Sequence, residues 1–357
     1  MDNDVFWNTV PAFAISGFSG SGKTTLIEQL VPQLVAKGLN VAVLKHDVHG
    51  VQVDYPGKDS DRLYQAGADV VLQGADECFV RRHGREPLSL QQSLQALVPY
   101  YDLVLVEGFK EAPLAKIWLL AEGEAGPPKD GQNVLAVLSR DAPRLPQALA
   151  LLESWLPERW CRVPVYGCVL IGGKSTRMGR PKHLLEHQGR TWLEHTLDSV
   201  SQVVDKVVIG GRGEVPSHLS HYTRLADISD VPGPLAGMVA AMRWAPQSSW
   251  LMCACDMPQL SVDALRWLLQ TREPGVWATV PDLLGDGHVE PLLAHYDPRA
   301  RPLFEALLSR QCYSPSRLAS QPKINTATPP AHLLGAWRNV NSEAELATFQ
   351  NVIEKSP

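Results

Sequence analysis

Short apolar runs of strand length alternate along this chain with stretches whose apolar residues recur every three or four positions. In the first half the strand-like runs are 12–16, 41–45, 103–106 and 134–138. Between the first two, Leu26, Ile27, Leu30 and Leu34 share one helical face, so a helix is expected there, kinked at Pro32. The second half repeats the alternation, with strands ending at Ile171 and covering 206–210 and 250–254, and helices over about 191–204, 235–244 and 261–270. Such alternation predicts an α/β fold with mostly parallel sheets covered on both faces. The halves share no fixed-period repeat, so they are not read as duplicates. Between them, the segment from Pro157 to Pro164 holds two prolines, three charges and a tryptophan, and apolar character restarts after it. Two domains are therefore expected, 1–160 and 161–357.

Length agrees, since 357 residues exceed what one hydrophobic core ordinarily sustains. With 45% hydrophobic and 20% charged residues the chain is neither disordered nor fibrous. A formal charge of −5 argues against a nucleic-acid partner, so an anionic ligand must be gripped locally. Six cysteines are sparse, and the one close pair, Cys253 and Cys255, lacks zinc-knuckle spacing; reduced, mostly core thiols are expected. No run of about eighteen apolar residues occurs and the N-terminus is acidic, which predicts a cytoplasmic protein without membrane contact.

The first candidate chemistry is the run from Gly17 to Thr24, Gly-Phe-Ser-Gly-Ser-Gly-Lys-Thr, which fits the Walker A pattern between a strand and a helix. Glycines let backbone amides turn toward phosphate oxygens, and the helix start adds positive potential. Gly20, Ser21, Gly22, Lys23, Thr24 and Thr25 are the expected nucleotide-binding residues, with Lys23 on the β- and γ-phosphates and Thr24 on Mg²⁺. The strand 103–106 runs into Glu107, as a Walker B strand runs into its acid. Glu107 is expected to hold Mg²⁺ through water or to orient an attacking water; the alternative is a plain strand-end carboxylate. Lys45, His46, Asp47 and His49, with Asp54 to Ser60 and Arg62, suggest a ligand-contacting loop.

Taken together, the P-loop, the Lys45-His46 cluster, Gly57-Lys58-Asp59-Ser60 followed by Ala66-Gly67-Ala68, and Val106-Glu107-Gly108-Phe109 resemble the MobB family over about residues 10–160. These are GTP-binding adapter proteins of molybdopterin guanine dinucleotide synthesis. The resemblance implies a P-loop NTPase domain that binds GTP and is at most a weak GTPase.

A second glycine loop follows the strand ending at Ile171, reading Gly172-Gly173-Lys174-Ser175-Thr176-Arg177-Met178-Gly179-Arg180-Pro181-Lys182. It fits neither the Walker pattern nor Gly-x-Gly-x-x-Gly. Adjacent glycines let the backbone pass close under a nucleotide, while Arg177 and Lys182 bring two cations to a triphosphate, where they stabilise a pyrophosphate leaving group. The alternative is a basic surface turn. The strand 250–254 runs on to Asp256 at the carboxyl edge of its sheet, where ligands of open α/β sheets bind, so Asp256 is the expected Mg²⁺ ligand. Lys182, Arg177 and Asp256 are the candidate catalytic residues.

These features resemble the GT-A-like, Rossmann-type nucleotidyltransferases, and among them MobA, the molybdenum cofactor guanylyltransferases. Asp227 ahead of Pro232-Gly233-Pro234-Leu235-Ala236-Gly237, Asp256-Met257-Pro258 and Asn339-Val340-Asn341 carry the match. The resemblance implies that Leu170, Ile171, Gly172, Gly173 and Lys182 contact GTP, with Arg212 near a further contact and Asp227 on the nucleoside. It places Asp256 on Mg²⁺, and Asn339 and Asn341 on the pterin, with the metal as the alternative partner of that motif. Glu290 is read either as a further pterin contact or as an exposed acid on a packed strand. Two departures stand out: the family often has Asn where Arg212 stands, and a proline precedes Lys182.

The combined reading is a fusion that makes molybdopterin guanine dinucleotide from GTP and Mo-molybdopterin, releasing pyrophosphate. Cytidylyl transfer, transfer to a sugar phosphate, and a GTP-regulated carrier with a silent transferase domain are the alternatives. Implied partners are molybdopterin insertion and molybdoenzyme maturation proteins, and the N-terminal domain could mediate an oligomer. Trp155, Trp192, Trp244, Trp267 and Trp337 are expected in core or interface packing.

Overall fold

The computed structural model describes residues 3–46, 53–83, 88–128, 131–172, 181–342 and 344–347. The first half begins with α1 (Asn3–Thr9), β1 (Ala12–Ser16), α2 (Lys23–Ala36), β2 (Val41–Lys45) and α3 (Asp59–Gln65). A hairpin of β3 (Val70–Gln73) and β4 (Cys78–Arg81) follows, then α4 (Leu90–Leu97), β5 (Leu103–Glu107), β6 (Lys116–Leu119), β7 (Val134–Leu138) and α5 (Arg144–Cys161). Five strands form a parallel sheet in the order β2-β5-β1-β6-β7. Alternate residues of each strand point to opposite faces. Phe13, Ile15, Leu103 and Leu105 thus meet α2 and α5 through Leu30, Leu152 and Trp155, while Ala14, Val104 and Val106 meet Phe6 of α1 and Leu94 of α4. Covered on both faces, β1, β5 and β6 are buried along their whole length.

Three of the four expected strands have the expected bounds, and β5 reaches one residue further, to Glu107. The hairpin and β6 were not anticipated. Lys116 opens β6 and is fully buried; its ammonium donates to the carbonyls of Lys110 and Ala112 at 2.6 and 2.8 Å, and burial lowers its pKa. A charged first residue hid a strand that is otherwise apolar.

The second half comprises β8 (Val165–Leu170), the short pair β9 (Glu186–His187) and β10 (Arg190–Thr191), α6 (Trp192–Ser201), β11 (Lys206–Gly210), β12 (Thr223–Leu225) and α7 (Leu235–Trp244). Then come β13 (Ser249–Ala254), α8 (Val262–Gln270), β14 (Ala278–Thr279), β15 (Leu293–Tyr296), α9 (Arg301–Ser309) and β16 (Ile324–Asn325). Seven strands order as β12-β11-β8-β13-β15-β14-β16, with β12, β11, β8 and β13 parallel and β15 antiparallel to β13. Residues of α6 and α8 cover one face, those of α7 and α9 the other. A capping box starts α6: the Thr191 hydroxyl accepts from the Glu194 amide while the Glu194 carboxylate accepts from the Thr191 amide.

The segment read as a break is helical, since α5 continues through Pro157 to Cys161 and only residues 162–164 separate it from β8. The halves meet at the amino-terminal ends of their sheets. There Asp102, wholly buried, accepts hydrogen bonds from the Asn40 amide (2.7 Å), the Trp277 indole (2.6 Å) and the Lys323 ammonium (2.8 Å). Arg299 approaches Asp102 to 3.8 Å, is held by both oxygens of Asp297, and stacks 3.5 Å from the ring centre of Trp160.

Of the tryptophans named above, Trp155, Trp192 and Trp337 are buried, and Trp267 packs edge-on against Trp337. Trp244 departs from core packing: it is 41% exposed, with the Lys206 ammonium 4.9 Å over its ring. Cysteines depart too, because Cys168, Cys253 and Cys255 are buried but Cys78 and Cys161 are exposed and Cys312 is half-buried. Among the described residues no helix is long and apolar enough to cross a membrane.

Candidate functional site

Each sheet carries a site at its carboxyl edge. In the first, the chain leaves β1 at Gly17 and winds through Gly20 and Gly22, whose φ values of +74° and +86° favour glycine. A Cβ at Gly17 would stand 2.5 Å from both the Leu119 carbonyl and the Ser21 hydroxyl, so the loop passes too close for any side chain. Thr24, in the first turn of α2, donates to Glu107 Oε1 at 2.9 Å, and Lys45 lies 3.5 Å from the same oxygen. The Walker threonine and the strand-end acid are therefore adjacent, two hard oxygen donors of the kind Mg²⁺ takes. Lys23 donates to the Phe18 carbonyl at 2.8 Å; burial lowers its pKa, with Glu107 acting in the opposite direction.

Arg144 escaped the sequence reading. Its guanidinium donates to the carbonyls of Ser21 (2.6 Å), Leu120 (2.7 Å) and Ser139 (2.8 Å), bracing the loop from α5. No motif signals such a residue, because its partners are backbone oxygens far away in sequence. The suggested ligand-contacting loop divides. His46 packs 5.1 Å from the Phe109 ring, beside Glu107, whereas Asp54 and Asp61 both pair with Arg81 of the hairpin at 3.0 and 2.9 Å. Asp47 and His49 lie outside the described residues.

The second site is a cavity of about 1060 Å³, lined by Leu170, Ile171, Gly172, Lys182, Arg212, Asp227, Asp256 and Asn341 among others. Gly172 (φ +115°) and Gly211 (φ +108°) cross closely: a Cβ on the first would lie 2.9 Å from the Arg212 carbonyl, on the second 2.0 Å from that of Ile171. Lys182 bridges the floor, donating to Asp256 Oδ2 at 2.9 Å and Asn341 Oδ1 at 2.7 Å. Asp256 is fixed through its own carbonyl, which accepts from the Val340 amide at 3.0 Å. A carboxylate and an amide oxygen thus converge on one cation, a donor pair that suits Mg²⁺. Burial raises the pKa of Asp227, with Arg212 opposing, and a Cβ at Gly237 would stand 3.2 Å from its Oδ1.

The turn Pro232-Gly233-Pro234, which the sequence marks as a motif, also lines the cavity, as does Asp230, which no motif signals. Glu290 and Asn339 lie outside the lining. The Glu290 amide donates to the Pro281 carbonyl at 2.8 Å, and burial, then the Asp256 carboxylate, raises the pKa of its side chain. The Oδ1 of Asn339 is buried without a hydrogen-bond partner among the described residues. Gly173 and Arg177 lie outside the described residues.

Comparison with known proteins separates the halves in the same way. Residues 12–140 match the family described as molybdopterin guanine dinucleotide synthesis protein B, and residues 167–322 match the MobA-like NTP transferase domain. A molybdopterin-guanine dinucleotide biosynthesis adapter protein of Haemophilus influenzae is 40% identical over 162 residues, 42% of this chain and 91% of that protein. Its Escherichia coli counterpart is 37% identical over 151 residues, 40% of this chain and 85% of that protein. A probable molybdenum cofactor guanylyltransferase of Bacillus cereus is 32% identical over 191 residues, 52% of this chain and 94% of that protein. The chain belongs to both families, a MobB-like adapter domain fused to a MobA-like nucleotidyltransferase domain.

Proposed function

We propose that this fusion makes molybdopterin guanine dinucleotide, joining GMP from GTP to the terminal phosphate of Mo-molybdopterin and releasing pyrophosphate. The observation that carries the reading is the convergence of Lys182, Asp256 and Asn341 on the floor of a cavity whose wall holds Asp227 and Arg212. Leu170, Ile171 and Gly172, with Gly173, supply backbone against the nucleotide, and Asp227 accepts from the nucleoside.

An acceptor phosphate oxygen attacks the α-phosphorus in line, a new P–O bond forms, and the bond to the β-phosphate oxygen breaks. Pyrophosphate leaves with the electron pair. No protein nucleophile is needed, so catalysis rests on orientation and charge stabilisation. Asp256 and Asn341 would hold Mg²⁺, which supplies Lewis-acid stabilisation of the phosphate oxygens. Lys182 exchanges Asp256 for the triphosphate and, with Arg177, neutralises the leaving group. Asn339 and Glu290 serve the pterin side.

In the first domain Gly20, Ser21, Gly22, Lys23, Thr24 and Thr25 would hold GTP, and Thr24 and Glu107 its Mg²⁺, with GTP hydrolysis at most weak. The functional division falls at 160/161. The setting is the cytoplasm, and the partners are molybdopterin insertion and molybdoenzyme maturation proteins, reached through the adapter domain, which also could carry an oligomer contact. The test supplies Mg²⁺, molybdopterin and GTP, CTP or ATP separately, following pyrophosphate and the dinucleotide. Product is expected with GTP; product with CTP and none with GTP overturns the reading.

A further inference from the structure

A second cavity, of about 400 Å³, lies away from both nucleotide sites, in the crevice between the two domains. One side is built by Phe6, Thr9 and Val10 near α1, by Gln95, Val98 and Pro99 around the end of α4, and by Trp160 of α5. The other side comes from the transferase half, through Pro246, Gln247, Pro298, Arg299 and Arg301. Its size and its place at a domain junction are those of a small-molecule pocket.

Three observations specify what would fit. First, much of the lining is apolar ring, from Phe6, Trp160, Pro11, Pro99, Pro246 and Pro298, with the Arg299 guanidinium stacked 3.5 Å from the centre of the Trp160 ring. Second, the polar groups in the lining include two cations and no carboxylate. Arg299 is committed to Asp297 and approaches Asp102, but the Arg301 side chain makes no hydrogen bond or ion pair among the described residues; it acts on Glu305 only through space, and that carboxylate is gripped by both arms of Arg243 at 2.8 and 2.6 Å. Third, Trp160 is only 6% exposed, yet its indole nitrogen has no hydrogen-bond partner among the described residues, while the Arg299 Nη1 nitrogen, also without a hydrogen bond there, lies 3.8 Å from Asp102 Oδ1. Buried donors without acceptors are rare in folded proteins and ask for a reason.

We propose that this crevice binds a small aromatic anion, a flat apolar body with one acidic group directed to Arg301 and toward the Trp160–Arg299 edge. Such a ligand touches both domains at once, so it binds the docked arrangement and stabilises it by linkage. Chemistry at either nucleotide site is not required for the assignment, which stands independently of the transfer reaction.

The probe is 8-anilinonaphthalene-1-sulfonate, compared with N-phenyl-1-naphthylamine, which lacks the sulfonate, each titrated into the full chain by fluorescence. Saturable binding of the sulfonate at one per chain is expected, with weaker binding of the uncharged probe. Arg301→Gln, a partly exposed position, should weaken the sulfonate roughly tenfold, as loss of one charge-assisted hydrogen bond does. Gln247→Glu, which introduces a repelling carboxylate at the same mouth, should weaken it at least as much while leaving the uncharged probe unchanged. Thermal melts of both variants check that they fold. Unsaturable binding, equal affinity for the two probes, or sulfonate binding unchanged by either substitution overturns the proposal.

Discussion

The indole of Trp277 donates to the carboxylate of Asp102 at 2.6 Å, joining residues 175 positions apart in two different domains. Asp102 stands immediately before β5, whose far end carries Glu107, so one strand runs from the domain junction to the P-loop acid. Lys323 and the Asn40 amide complete its hydrogen bonds. A carboxylate without solvent contact persists only with such partners.

Asp102→Asn keeps the shape of the residue and removes the charge, leaving the Lys323 ammonium without its counter-ion at the junction. Breaking a buried pair by removing one member costs about 3–5 kcal/mol. Calorimetry is expected to show one cooperative transition for the parent chain and two separated transitions for the variant, as the halves come to unfold independently. A single transition at an unchanged temperature counts against this account of the junction.

Transfer should depend on the second site and tolerate loss of the first. Asp256→Ala is expected to lower kcat by about 10³-fold and Lys182→Ala by about 10²–10³-fold, the scale of losing a preorganised electrostatic contact at a developing charge. Lys23→Ala should retain most of the transfer activity. Pyrophosphate release measured for the three variants checks the order, and a Lys23→Ala variant without activity would mean that the P-loop is required for the transfer step.

Glycine substitutions separate crowding from backbone conformation. Gly211→Ala places a Cβ 2.0 Å from the Ile171 carbonyl at a φ of +108°, whereas Gly233→Ala at φ +76° meets nothing within 4 Å. The second should cost about 1 kcal/mol, the usual penalty of a left-handed residue, and the first considerably more together with a higher KM for GTP. Urea unfolding and steady-state kinetics on the pair provide the comparison.

His295 gives stability a pH dependence. Burial pushes its pKa down to about 3, and His183 is lowered by burial in the same direction. Below the ordinary histidine value of about 6.5 the unfolded chain takes up protons that the folded chain does not, so stability falls as pH decreases from about 6.5 toward 3. The largest slope from one such group is about 1.4 kcal/mol per pH unit. Urea midpoints between pH 7 and 5, a window above ordinary carboxylate titration, should decline in the parent and decline less in His295→Gln.

What could be read from the sequence was local. The P-loop names its own glycines, lysine and threonine within eight consecutive residues, and β1, β2 and β7 announce themselves as apolar runs with the bounds they have in the fold. The second site was legible as separate fragments, because Lys182 and Asn341 are 159 positions apart and only folding brings them to 2.7 Å. Arg144, the hairpin with its Arg81 pairings, and β15 antiparallel to β13 left no periodic trace. Pro157 misled, since a helix already packed through Leu152, Trp155 and Leu156 continues past it to Cys161. Asp102 carries no motif, and two of its three hydrogen-bond donors, Trp277 and Lys323, come from the other domain.

With the sheets joined foot to foot, β5 carries Glu107 and β13 leads to Asp256 at edges that both lie away from the junction. At about 3.3 Å per strand residue, the two mouths are separated by something on the order of 25–40 Å. A dinucleotide leaving the transferase cavity therefore has that distance to cover before it meets the P-loop of its own chain, and a recipient that engaged both ends at once would have to reach as far.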